Sequence, residues 1–242
     1  MATPTRPTPP RHPAPRGLAV ARAYVAVLAV AVLGFIALAA FADTHQIFRF
    51  DVAITRTLQS VHVAFYRWVM VNESDLGYEP FSPLTYIVIF ALLFATRLRV
   101  AAFLAALSSL LADGVGLGIK NLIARARPSS ALVHVAAHLH GFSFPSGHVI
   151  QYTTIFGFAL YIVVVAWKPS LPRAVLSIVL ALLIILVGPS RVYLGEHWPT
   201  DVTGGYLFGG VWLAAAIWVY HRLAARHRGW FQTHELERMD VY

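Results

Sequence analysis

Long apolar segments recur along the chain and constrain its fold more than any other feature. A helix needs about 20 mostly apolar residues to cross the hydrocarbon core of a membrane. The composition agrees with several such crossings, because 58% of the residues are hydrophobic and only 12% are charged. We therefore predict an all-α bundle of six transmembrane helices. The six segments cover approximately Leu18–Ala42, Phe81–Ala95, Val100–Ile119, His148–Trp167, Ala174–Pro189 and Asp201–Leu223.

Two tails flank the predicted six-span domain, which occupies residues 18–223. Residues 1–17 contain six prolines and three arginines, a composition that predicts a disordered basic tail, and residues 224–242 form a second tail. The first span ends in Ala40-Phe41-Ala42, which imitates a signal-peptidase site. Its apolar run is longer than the ~7–15 residues of a signal peptide, so we expect an uncleaved first span.

The segment between the first two spans, residues 43–80, has mixed polarity and a helical repeat. Its apolar residues recur at alternating steps of four and three, which predicts an amphipathic helix. This helix either lies in the outer membrane interface, with Tyr66 and Trp68 as anchors, or covers the bundle. The repeating residues are Ile54, Leu58, Val61, Phe65 and Trp68.

The distribution of basic residues predicts the orientation of the spans. With the N-terminus in the cytoplasm, twelve of the 19 Lys and Arg residues fall on the cytoplasmic side, as the positive-inside rule requires. Both termini are then cytoplasmic, and the lack of organelle signals suggests a bacterial plasma membrane. The net charge of +8 does not indicate nucleic-acid binding, because the basic residues form no dense patch. The twelve are Arg6, Arg11, Arg16, Arg22, Arg97, Arg99, Lys168, Arg173, Arg222, Arg226, Arg228 and Arg238.

Metal binding has little support in the sequence. The chain contains no Cys, so a zinc site would depend on His and carboxylate ligands. His134, His138 and His140 have a spacing that could suggest zinc, but no carboxylate or Cys lies near them in sequence. We expect these three residues to lie in a solvated loop, and we predict neither a metal nor a cofactor.

Glycines four residues apart occur in two of the predicted spans. The pairs are Gly114/Gly118 in the third span and Gly205/Gly209 in the sixth. Small residues at this spacing let membrane helices approach closely. We therefore expect both pairs to serve helix packing.

Three further charged residues lie near the motifs described next. Asp113 lies inside the third span, where an ionisable group needs a partner or a wet cavity. It could support a site by orienting Lys120, form a hydrogen bond between helices, or act directly in chemistry. Arg125 and Glu196 flank motif residues, and we expect them to lie behind the site or to face solvent.

Three polar motifs occur at the ends of the predicted spans. They are Lys120-Asn-Leu-Ile-Ala-Arg-Ala-Arg127-Pro128, Phe144-Pro145-Ser146-Gly147-His148 and Ser190-Arg191-Val-Tyr-Leu-Gly-Glu-His197-Trp-Pro-Thr-Asp201. All three emerge on the non-cytoplasmic side of the predicted topology. Because the cytoplasmic loops alone set that topology, this convergence is independent evidence for one shared site.

Together the motifs Lys-x6-Arg-Pro, Pro-Ser-Gly-His and Ser-Arg-x5-His-x3-Asp resemble the tripartite signature of the type-2 phosphatidic acid phosphatase superfamily. Every signature position is matched, and the six-span layout resembles the membrane-bound branch of that family. The resemblance implies a metal-independent phosphatase that works through a phosphohistidine. It implies His197 as nucleophile, Asp201 as its partner and His148 as acid, with phosphate ligands Lys120, Arg127, Ser146, Gly147 and Arg191.

The residue types at these positions suit the binding of a phosphate. Lys120, Arg127 and Arg191 can stabilise the negative charge on the equatorial oxygens in the transition state. Ser146 and Gly147 precede a helix, so their backbone N–H groups and the helix dipole can face the same anion. A plain N-cap remains an alternative role for Ser146.

The two histidines suit the cleavage step. A neutral His197 can attack phosphorus, and Asp201 four residues later can fix its tautomer. A protonated His148 can donate to the leaving alcohol and later deprotonate water. This scheme predicts a rate maximum at mildly acidic to neutral pH, near the ordinary His pKa of ~6.5.

The expected substrate is a membrane lipid phosphate whose tail enters laterally from the bilayer. A polyprenyl pyrophosphate or monophosphate, phosphatidate and phosphatidylglycerol phosphate are all admissible. One alternative is phosphotransfer to an acceptor alcohol, and another is a non-catalytic protein that binds or transports lipid phosphates. The vanadium haloperoxidases share a similar pocket, but the spans make that interpretation remote. The oligomeric state stays open.

Overall fold

The computed structural model describes residues 15–44, 47–78, 81–96 and 98–226, and these residues form helices and loops without strands. The all-helical prediction is therefore confirmed. Most of both predicted tails, together with Arg97, lies outside the described residues. The helices are α1 (Pro15–Thr44), α2 (Arg49–Gln59), α3 (Ala64–Asn72), α4 (Phe81–Ala95), α5 (Arg99–Ile123), α6 (Gly147–Gln151), α7 (Gly157–Ala166), α8 (Leu171–Tyr193) and α9 (Pro199–Arg226).

The membrane spans follow the predicted order. Five helical stretches are long and apolar enough to cross a membrane. Helix α4 has only 15 residues, and it meets this criterion in a bent pair with the preceding helical stretch, so that the total reaches six. The five are Arg22–Thr44, Arg99–Ile123, Gly147–Ala166, Leu171–Tyr193 and Pro199–Arg226.

Helix α8 continues past Pro189, which was the predicted end of the fifth span. Proline cannot donate the hydrogen bond that the carbonyl of Ile185 would otherwise accept. The Tyr206 hydroxyl from α9 donates to the carbonyl of Ile184 at 2.7 Å and lies 3.2 Å from that of Ile185, and it accepts from Gly188 N–H at 3.1 Å. A side chain of another helix thus satisfies backbone groups around the proline, and Arg191 remains on the last turn of α8.

The fourth span contains one wide turn between α6 and α7, Tyr152–Phe156, with π-helical geometry. The Thr154 hydroxyl donates to the carbonyl of Ile150 at 2.9 Å. Hydroxyl groups that bond to the preceding turn in this way are known to distort helices. The wide turn packs against α5, α8 and α9 below the motif residues.

The glycine prediction is right for one pair and wrong for the other. A Cβ atom on Gly205 would lie 3.0 Å from the carbonyl oxygen of Ser146, and one on Gly209 would meet Thr153 at 3.0 Å, so α9 and α6 are in close contact. Gly114 and Gly118 have open space around them. Gly116 lies on the packed face of α5 instead. Gly114 and Gly118 are each two positions from Gly116, so they point about 200° around the helix from that face.

The apolar repeat after the first span does not form one helix. Helices α2 and α3 are separated at residues 60–63, where Val61 and Val63 are β-branched and therefore poor helix formers. Ile54, Phe65 and Trp68 are 45%, 72% and 61% exposed, whereas Leu58 is half-buried against the core, so most of the apolar stripe faces away from the bundle. Of the two predicted roles, the outward one fits this arrangement.

The helix ends that carry the three motifs lie together at one end of the bundle. Helices α5 and α8 end there, whereas α6 and α9 begin there. Helix α9 packs against α1, α5 and α6, and it joins the motif-bearing segments into one unit. The backbone N–H of Ser146 donates to the carbonyl of Asp201 at 3.1 Å, which links the second motif directly to the third.

Candidate active site

A cavity of about 240 Å³ opens at this end of the bundle. Five of the eight predicted site residues line it, and they come from all three motifs. The wall on the membrane side consists of Asp113, Gly116, Leu117, Ile150 and Gln151. The five site residues are Lys120, Arg127, Gly147, His148 and His197.

Two cations face the cavity from the first motif. Lys120 lies on the last turn of α5, and a Cβ atom on Gly147 would be 3.9 Å from its ammonium nitrogen. Arg127 donates from Nε to the carbonyl of Gly141 at 3.1 Å and from Nη1 to that of Glu196 at 2.8 Å. Backbone carbonyls thus fix the guanidinium, and Nη1 lies 3.3 Å from Nε2 of His197.

His197 is buried between Arg127 and a group of acceptors. Its Nδ1 lies 3.4 Å from the Ser143 hydroxyl and 3.7 Å from Oδ2 of Asp201. Burial, followed by the charges of Arg127 and Lys120, lowers the pKa of His197 well below its ordinary value of 6.5. The ring is therefore neutral at neutral pH, and a proton on Nδ1 leaves Nε2 with a lone pair that faces Nη1 of Arg127.

Asp201 is held from several directions at the start of α9. Its Oδ2 accepts hydrogen bonds from the Ser143 hydroxyl and, at 2.8 Å, from the backbone N–H of Trp198. Its Oδ1 is 2.6 Å from Nη1 of Arg125. The predicted pairing with His197 is present only at 3.7 Å, so the Ser143 hydroxyl provides the closer contact to Nδ1.

Arg125 is fully buried, which excludes the solvent-facing alternative for this residue. Its Nη2 lies 2.8 Å from Oδ2 of Asp51, a residue of α2. Asp51 also accepts from the backbone N–H and the hydroxyl of Thr200, at 3.0 and 2.8 Å. Burial raises the pKa of Asp51, while Arg125 and Thr200 oppose this shift.

Arg191 does not line the cavity. Its Nη1 donates to the Tyr78 hydroxyl at 2.6 Å, and its Nη2 pairs with the carboxylate of Glu196. Tyr78 also donates to Glu196, so Glu196 is buried and faces no solvent. The Tyr78 ring packs edge-on against the His148 ring at 4.9 Å between centroids. Arg191 therefore supports the position of His148 through Tyr78.

Two buried polar groups of the second motif have no hydrogen-bond partner among the described residues. They are Ser146 Oγ and His148 Nε2. Ser146 lies at the N-cap position of α6, but its side chain makes no cap hydrogen bond. Its hydroxyl therefore remains available to an anion.

Asp113 lines the membrane side of the cavity and accepts a hydrogen bond from the Tyr86 hydroxyl of α4. This contact fits the predicted hydrogen bond between helices. His134, His138 and His140 are exposed. Within the described residues, no group of three or more His, Asp or Glu side chains is arranged to hold a metal ion.

Four residues around the site were not predicted from the sequence as site residues. Ser143 precedes the second motif by one residue and Thr200 lies inside the third, so their positions carried a weak signal. Asp51 and Tyr78 belong to the segment between the first two spans. Asp51 lies on the polar side of α2. A carboxylate at this position of an amphipathic helix was the sequence feature that could have indicated its role.

The chain is similar to proteins of known function and to solved structures. Phosphatidylglycerophosphatase B of Bacillus subtilis (strain 168) is 32% identical over 180 residues, which cover 73% of this chain and 86% of that protein. The crystal structure of a transmembrane PAP2 type phosphatidylglycerolphosphate phosphatase from Bacillus subtilis has a TM-score of 0.68 and 27% identity, covering 81% of this chain and 96% of that one. The crystal structure of Aquifex aeolicus LpxE has a TM-score of 0.58 and 22% identity, with 71% and 97% covered, and shows the same fold.

The family assignment rests on one continuous region of the chain. The model of the PAP2 superfamily matches residues 98–225, more than half of the chain. That range contains all three motifs and the helix ends that bring them to one cavity. The chain therefore belongs to the PAP2 superfamily.

Proposed function

We propose that the protein is a membrane lipid phosphatase that hydrolyses a phosphoric ester through a phosphohistidine at His197. One observation carries the proposal: His197 and His148 face the same membrane-level cavity as Lys120 and Arg127. Two imidazoles can act as nucleophile and acid, and two cations can hold the phosphoryl group between them. The similarity to a phosphatidylglycerophosphatase makes phosphatidylglycerol phosphate the first substrate to test.

The first half of the reaction forms the covalent intermediate. The Nε2 lone pair of His197 attacks phosphorus, and the ester P–O bond breaks. His148 donates a proton to the departing lipid oxygen. Asp201 stabilises the imidazolium character that develops on His197, with Nδ1 kept protonated toward Ser143 and Asp201.

The second half returns the enzyme to its starting state. His148, now neutral, removes a proton from a water molecule that attacks the phosphohistidine. The P–N bond breaks, the electron pair returns to Nε2, and inorganic phosphate leaves. Lys120, Arg127 and the Ser146 hydroxyl hold the phosphoryl oxygens through both halves of the reaction. Arg191 either stays paired with Glu196 and supports His148, or it leaves Glu196 and binds the phosphate.

The lining of the cavity supports a lipid as substrate. Leu117 and Ile150 form part of its wall, and Leu117 is 59% exposed on the outer surface of α5. An apolar tail can therefore lie along α5 while the phosphate reaches the cations. The shallow depth of the site in the bundle matches a headgroup at the membrane boundary.

The orientation that we propose has the cavity on the non-cytoplasmic side of a plasma membrane and both termini in the cytoplasm. Arg22, Arg173, Arg222 and Arg226 all belong to the helix ends opposite the cavity. Basic residues concentrate on the cytoplasmic side of membrane proteins.

The proposal is tested by phosphate release from purified protein in detergent. Phosphatidylglycerol phosphate, phosphatidate, and polyprenyl mono- and pyrophosphates serve as substrates, each with and without EDTA. His197→Ala should abolish release while lipid binding remains, and the exposed loop variant His138→Ala should match the wild type. Transfer of phosphate to an added alcohol without release would identify a phosphotransferase. Binding without turnover of any lipid would overturn the enzymatic proposal.

A further inference from the structure

Three charged side chains lie together behind His197. Two of them, Arg125 and Asp201, lie within the motifs, and the third, Asp51, lies on α2. Asp51, Arg125 and Asp201 each have 0% side-chain exposure. Burying charges is costly unless each has a partner, and removing one partner of such a group leaves an uncompensated charge. The group is therefore a built feature of the site and not an incidental surface contact.

The geometry links α2 to the first turn of α9. Arg125 is 2.8 Å from Asp51 through Nη2 and 2.6 Å from Asp201 through Nη1. Asp51 is also bound to Thr200, the residue that precedes Asp201. The Phe48 ring lies 4.9 Å from the Arg125 guanidinium and covers it. Asp51 lies outside the region of the chain that matches the family model.

The charges in this group do not cancel. Two carboxylates and one guanidinium leave one net negative charge beside His197. The Nε2 end of the His197 ring faces Arg127, and the charges of Lys120 and Arg191 also act on the ring. If Arg125 had Asp201 as its only partner, the pair would be neutral, and an imidazolium at His197 would have no net anionic support against these cations.

We propose, on the basis of the proposed function, that Asp51 and Arg125 are positioning residues for Asp201. Arg125 fixes the carboxylate of Asp201 toward Ser143 and His197. Asp51 offsets the charge of Arg125, so that the group keeps one net negative charge to stabilise the imidazolium that forms when His197 attacks. The catalytic contribution of Asp201 thus depends on a residue of α2 that never touches the substrate.

The first test changes only the charge of Asp51. Asp51→Asn should lower kcat by roughly tenfold or more with little change in KM, an order-of-magnitude expectation for removing one charge near a buried cation. The matched control is Asp43→Asn, an exposed Asp at the end of α1. A wild-type kcat in Asp51→Asn would overturn the proposal.

A charge-balanced double variant separates this role from a structural one. Asp51→Asn combined with Arg125→Gln removes one charge of each sign and restores one net negative charge on Asp201. We expect this double variant to be more active than Asp51→Asn alone, because the net charge beside His197 is again that of the wild type while Asp201 keeps the Ser143 hydroxyl and the Trp198 N–H as hydrogen-bond donors. A purely structural role predicts the reverse order, and an inactive, folded double variant would overturn the proposal.

A second measurement does not require turnover. NMR of ring-labelled histidines in micelles, assigned with His197→Ala, should give a lower His197 pKa in Asp51→Asn than in the wild type. The double variant should return it toward the wild-type value. An unchanged His197 pKa in Asp51→Asn would refute the charge coupling. Lack of turnover by the wild type would instead refute the proposed function and leave this test intact.

Discussion

Nδ1 of His197 lies 3.7 Å from Oδ2 of Asp201, beyond ordinary hydrogen-bond distance. The hydroxyl of Ser143 contacts both groups, since it donates to Asp201 and lies 3.4 Å from Nδ1. The tautomer of the proposed nucleophile therefore depends on a serine that precedes the second motif. The loop with Ser143 and the segment with His197 and Asp201, which are distant in sequence, therefore both have to be in place before His197 presents Nε2 to a phosphate.

Ser143→Ala should lower kcat by roughly tenfold, because His197 loses one of the acceptors that orient Nδ1 and net hydrogen bonds contribute about 1 kcal/mol. KM should change little, since Ser143 does not line the cavity. Steady-state kinetics of the purified variant check this, with the exposed Ser130→Ala as control. A tenfold rise in KM at unchanged kcat would assign Ser143 to substrate binding instead.

The pH dependence should reflect the low pKa of His197. Burial and the neighbouring cations lower that pKa, so the neutral ring predominates at every pH above a value that is itself below 6.5. Activity should therefore rise with pH through a limb below 6.5, and it should fall again at higher pH where His148 no longer carries the proton that it donates. The measurement is log kcat/KM against pH, corrected for the substrate phosphate, whose second pKa is near ~6. An acid limb at or above 6.5 would contradict the neutral-nucleophile assignment.

Gly195→Ala should disrupt the loop that carries His197. Gly195 has a φ of 66°, and an added Cβ would overlap the backbone carbonyl of His134. The strain and the clash should destabilise the protein by about 1–3 kcal/mol and reduce kcat. Thermal unfolding in detergent checks the stability, with Gly210→Ala as control because open space surrounds Gly210. Equal melting temperatures for the two variants would argue against this role.

Tyr206→Phe should weaken the junction between α8 and α9. The change removes the hydroxyl that bonds to the backbone around Pro189, and unsatisfied buried backbone groups cost about 1–3 kcal/mol each. We expect a lower melting temperature, whereas Tyr24→Phe, at a tyrosine that is 49% exposed, should have no effect. Wild-type stability of the Tyr206 variant would show that water or another side chain replaces the hydroxyl.

The sequence predicted the bundle, the common end of the motifs and five of the residues that line the cavity. Such features depend on local hydrophobicity and on motif spacing, both of which are visible in one dimension. The predicted end of the fifth span at Pro189 was wrong because Tyr206, seventeen residues later, supplies hydrogen bonds to the backbone around the proline. Asp51 was missed for the same kind of reason, since its partners Arg125 and Thr200 follow it by 74 and 149 residues.

The hydrogen bond from Ser146 N–H to the carbonyl of Asp201, together with the tight seat of Gly205, ties the beginnings of α6 and α9 into a single rigid block. His148 and His197 belong to this block, so thermal motion of the bundle leaves the span between the two rings nearly constant. A lipid tail that lies along the exposed Leu117 face of α5 can therefore come and go without changing the distance between the two rings.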